Sequence, residues 1–159
     1  MLLERGADPS AQDADGQSPL HVASSDGHPE LARLLLEGGA DPSAQNKYGW
    51  SPLHSASSRG YAELTRMLLE GGADPSTQDK DGQSPLHFAS SYGHAELARL
   101  LLEGGADPRA QDINGLSPLR ITSSRGHAEL AQALLQHYPV THNDISFQDV
   151  STIAYHCIM

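Results

Sequence analysis

Apolar residues in this chain come in short helical stripes separated by polar and glycine-rich intervals. Within residues 13–45, Leu20 and Ala23 stand three apart and share one face of a first helix. After a polar gap, Leu31, Leu34 and Leu35 follow at i, i+3, i+4 spacing, which predicts a second helix with a leucine core stripe. The flanking residues agree. Ser18 offers a hydroxyl cap to the first helix, and Pro19 takes the first helical position, where a missing N–H costs nothing. Gly27 permits a left-handed stop. Pro29-Glu30 opens the second helix with an acid in its first turn, favoured by the helix dipole, and Gly38-Gly39 ends it. Ala40 to Trp50 then carry the chain outward and back, with Gly49 at the turn and Asp41 held extended by Pro42.

The pattern recurs at a fixed interval. Ser-Pro-Leu-His stands at Ser18–His21, Ser51–His54 and Ser84–His87, and returns as Ser117-Pro118-Leu119-Arg120, each copy 33 residues after the last. Gly-Ala-Asp-Pro appears at Gly6–Pro9, Gly39–Pro42, Gly72–Pro75 and Gly105–Pro108, so eight of the ten prolines mark two repeat positions. Such a period dictates a stacked solenoid in which each unit buries its apolar face against its neighbours. The expected fold class is all-α, a solenoid of stacked helix-turn-helix units with β-hairpin-like finger loops.

These motifs resemble the ankyrin repeat, whose signature is close to Asp-x-x-Gly-x-Thr-Pro-Leu-His-x-Ala-Ala, a Gly-His pair, a leucine-rich helix and Gly-Ala-Asp. Residues 13–45, 46–78 and 79–111 carry it nearly throughout, 112–136 carry an eroded copy, and 1–12 read as the end of a truncated repeat. Serine replaces the usual threonine in all four copies, keeping the hydroxyl, and the second alanine becomes Ser24, Ser57, Ser90 and Ser123. The resemblance implies a non-enzymatic protein-binding scaffold. It also implies that His21, His54 and His87 tie helix to finger by hydrogen bonds, and that a concave face of fingers and first helices grips the partner.

Composition narrows the choice. A formal charge of −10, with 10 basic against 20 acidic residues, disfavours nucleic acid and anionic membrane as partners. One cysteine, Cys157, excludes an internal disulfide and fits a reducing compartment. The start Met1-Leu2-Leu3-Glu4-Arg5 lacks the apolar stretch of a secretory signal, so a cytoplasmic protein is expected, with the nucleus as the other site. Nine histidines invite a metal reading, but no thiolate pair accompanies them and their positions repeat with the scaffold. The Ser-x-x-His spacing is a poor nucleophile–base pair, because the serine is needed as a cap and no recurring acid orients the base. No enzyme activity, cofactor, metal or small-molecule substrate is expected.

Comparing copies within the chain separates scaffold from readout. The second residue of each unit runs Ala14, Lys47, Lys80, Ile113, and the third Asp15, Tyr48, Asp81, Asn114. The fifth runs Gln17, Trp50, Gln83, Leu116, and the fourteenth Asp26, Arg59, Tyr92, Arg125. Packing does not dictate these positions, so the partner-binding candidates are Asp15, Gln17, Asp26, Lys47, Tyr48, Trp50, Arg59, Lys80, Asp81, Gln83, Tyr92, Asn114, Leu116 and Arg125. Trp50 with Tyr48, Arg59 and Tyr92 has the composition of a binding hot spot, and Trp50 is placed on the solvent side of its finger. The alternative for Trp50 is a local staple across the neighbouring finger. The fingers carry net charges of −3, 0, −2 and −1 in chain order, which points to a neutral-to-basic partner segment with an apolar anchor.

Two further readings concern the ends. Met1 starts inside a second helix, as if a longer array were cut, which keeps two alternatives open: an arm of a larger signalling protein, or a partnerless fragment. Residues 137–159 form a divergent tail in which Phe147, Val150, Ala154 and Cys157 can line a capping helix over 145–157, with a disordered tail as the rival.

Overall fold

The computed structural model describes residues 8–137. Among them stand eight helices and no strand: α1 (Pro19–Asp26), α2 (Pro29–Glu37), α3 (Pro52–Arg59), α4 (Ala62–Glu70), α5 (Pro85–Tyr92), α6 (Ala95–Glu103), α7 (Pro118–Arg125) and α8 (Ala128–Gln136). Each odd helix packs on the next odd one and on its own even partner, and the even helices pack in series. The result is two helical layers with a row of fingers, an all-α solenoid. The expected tail helix over 145–157, and most of the expected end of a truncated repeat over 1–12, lie outside the described residues.

Local chemistry sets each unit. Ser18, Ser51, Ser84 and Ser117 are extended N-cap residues. In the first three, the histidine three positions on completes a capping box, its side chain reaching back to the serine N–H. Gly27, Gly60, Gly93 and Gly126 stop the odd helices in the left-handed conformation. At Gly60 a second constraint applies, because a Cβ there would lie 2.7 Å from the ring of His94 in the next unit. Tyr61 and His127 lie over Gly27 and Gly93 in the same way.

The fingers share one device. Oδ1 of Asp13, Asn46, Asp79 or Asp112 accepts the backbone N–H groups of the residues two and four positions later. Successive fingers then join edge to edge: Lys47 N–H donates to Asp15 O, Lys80 N–H to Tyr48 O and Ile113 N–H to Asp81 O, at 2.9, 3.1 and 2.9 Å.

The core differs from the expected leucine stripe in the first unit. Leu35 is buried, but Leu31 is 41% exposed, and Ala32 takes the inner position. Counterparts of Leu31, namely Leu64, Leu97 and Leu130, are at most 2% exposed. Leu130 lies in the last described unit and is still covered, so this position faces the preceding unit. In the first unit it is left part-exposed.

Candidate functional site

The three capping histidines do more than close helices. Ser18, Ser51 and Ser84 N–H donate to the Nδ1 atoms of His21, His54 and His87 at 3.0–3.1 Å, so Nδ1 is unprotonated and the proton sits on Nε2. Each Nε2–H donates into the next finger: His21 to Trp50 O at 2.9 Å, His54 to Gln83 O at 3.0 Å and His87 to Leu116 O at 3.1 Å. The residues so pinned are the variable fifth positions. The repeated residue fixes the backbone from which the varying side chain projects. Burial lowers the basicity of all three rings, and that of His54 falls to about 4.

Trp50, Arg59 and Tyr92 converge. With Ser25, Ser55 and Ser58 they line an open pocket of about 360 Å³ on the face formed by α1, α3 and α5. Repetition brings them together, since α3 and α5 pack side by side and the 33-residue offset becomes one inter-helix step. Trp50 is half-buried, and does not stand free on the solvent side. Its ring meets Phe88 edge-on at 4.8 Å and stacks at 6.2 Å on His54. It thus joins its finger to the next unit and walls the pocket at once. Tyr92 is 57% exposed and stacks at 6.0 Å on His94. Arg59 is exposed in the last turn of α3.

The other candidates are placed elsewhere. Tyr48 is exposed on its fingertip under Lys47, whose Nζ lies 5.0 Å from the ring centroid, and it does not line the pocket. Lys47 also forms an ion pair with Asp15 of the preceding finger, so two candidates satisfy each other. Lys80, Asp81 and Asn114 are exposed on later fingers, and Asp26 and Arg125 at the ends of α1 and α7. Gln17, Gln83 and Leu116 are half-buried at finger bases.

Sequence comparison missed Ser55. Its position in the unit runs Val22, Ser55, Phe88, Ile121, a variation as wide as those that were used. It was masked by lying on the helix and not at a finger or helix end. No group of three or more metal-ligating side chains occurs among the described residues, and no helix there is long and apolar enough to cross a membrane.

Comparison with known proteins bears on this architecture. Residues 1–79 match a family model of ankyrin repeats in three copies, and residues 70–122 a model of ankyrin repeats in many copies. The chain belongs to the ankyrin-repeat family. A stretch of 35 residues is 54% identical to Protein fem-1 homolog C of Danio rerio, covering 22% of this chain and 6% of that protein. The matched segment is thus a small part of that much longer relative. Ankyrin repeats are in general protein–protein interaction modules, and the eight stacked helices are those of an ankyrin solenoid.

Proposed function

We propose that this ankyrin array is a non-enzymatic scaffold, working inside the cell, that holds a partner protein along the face formed by fingers and odd helices. One observation carries the reading: Trp50, Arg59 and Tyr92, from a finger and two helices, line a single pocket. An aromatic pair with an arginine in a concave, pre-formed site is the composition that dominates binding energies. The pinned finger backbones loosen little, so ordering costs on binding stay low. The acidic fingers favour a neutral-to-basic segment, and Trp50 and Tyr92 offer the surface for its apolar anchor.

A photo-crosslinking residue at position 92, compared with one at Arg66 on the outer layer, tests this in a cell lysate. Protein adducts confined to position 92 are the expected result. Equal labelling at the two positions, or none at either, would refute the reading. An arm of a larger protein is a second reading, supported by the length of the zebrafish relative.

A further inference from the structure

The unit 46–78 departs from its neighbours at two places on α3, four residues apart and therefore on one helix face. Ser55 stands where the others have Val22, Phe88 and Ile121; Arg59 stands where the two adjoining units have Asp26 and Tyr92, while the last unit also carries an arginine, Arg125. Both line the pocket. Ser55 is 6% exposed and lines the pocket, where its hydroxyl is open to an incoming group. Arg59, like Arg66, Lys80 and Arg125, makes no ion pair among the described residues, but of these four it alone lines the pocket. No carboxylate lines the pocket. In a chain of net charge −10, two donors are thus gathered between aromatic walls.

Resting on the concave-face reading, we infer that this pocket takes the carboxylate of a Glu or Asp side chain from the bound partner segment. Arg59 donates from its guanidinium and Ser55 from its hydroxyl, one group for each carboxylate oxygen. The methylene stem lies against Trp50 and Tyr92, and the remainder of the segment stays neutral to basic for the acidic fingers. A phosphate group fits less well, because its second charge meets no second cation in the pocket. A lysine or arginine side chain would set like charge against Arg59 and leave Ser55 with no acceptor it needs.

The test is retention of short peptides with random flanks and a fixed central Glu, Gln, Lys or phosphoserine on the immobilised full chain. Expected is about tenfold stronger retention of the Glu set than the Gln set. That preference is lost in Arg59→Gln, reduced in Ser55→Ala and kept in Arg125→Gln, all with unchanged thermal melting. Binding that is blind to the central residue, or a Glu preference surviving Arg59→Gln, overturns the carboxylate assignment while leaving the concave-face reading standing. Stronger retention of phosphoserine than Glu also overturns it. If no set is retained, both readings fail.

Discussion

His21 donates its Nε2–H to the carbonyl of Trp50 across 2.9 Å, joining a residue that recurs in three units to the single tryptophan of the chain. The same bond runs from His54 to Gln83 and from His87 to Leu116. Stability and the placing of the varying finger residues therefore rest on one set of neutral imidazoles.

Acid should loosen this set. The folded rings are less basic than in the unfolded chain, where histidine titrates near pH ~6.5, so acid favours the unfolded state. Stability is complete above that pH and falls as pH drops toward about 4, the value to which burial brings His54. His54 alone is expected to account for about 3 kcal/mol of the loss. Urea titrations at stepped pH check the window, and the slope should flatten in a His54→Gln variant.

Buried hydroxyls weaken the core. Among the described residues the side-chain oxygens of Ser24, Ser57, Ser90 and Thr65 have no hydrogen-bond partner, whereas Ser123 donates to Leu119 O. Replacing Ser24, Ser57 or Ser90 by alanine is expected to stabilise the fold by about 1 kcal/mol each, and Ser123→Ala to give no such gain. Thermal melts of the four variants decide this.

Gly60 and Gly72 share a left-handed φ, 78° and 89°, but only Gly60 is roofed by a ring. Gly72→Ala should cost about 1 kcal/mol from backbone strain alone, while Gly60→Ala should cost about 2–3 kcal/mol because His94 must also move. Equal losses in chemical denaturation would show that the His94 ring yields freely.

Trp50→Ala removes the edge contact with Phe88 as well as one pocket wall, and is expected to lower stability by about 2 kcal/mol. Arg59→Gln, at an exposed position, should leave the denaturation midpoint within about 0.5 kcal/mol. The pair separates folding from recognition within the same pocket.

Binding of a partner along the acidic fingers should weaken as salt rises, since these charges are exposed and screened over about 10 Å at 0.1 M salt. Calorimetry at low and high ionic strength reads this. Affinity that does not change with salt would remove charge from the account of recognition.

The sequence by itself determined the unit, its register and its two helices, because caps, stops and apolar spacing are local properties that the 33-residue repetition states four times over. It also separated the fixed histidines from the varying finger residues. Only the tertiary structure decided which varying residues meet. Trp50 turned inward to Phe88, Tyr48 stayed on its fingertip, Lys47 paired with Asp15, and Ser55 entered the pocket from a helix face. Leu31 likewise looked like core by spacing, yet whether it is covered depends on a neighbour along the stack. These outcomes rest on the distance and rotation between consecutive units, which packing of α3 on α5 sets and no single repeat encodes.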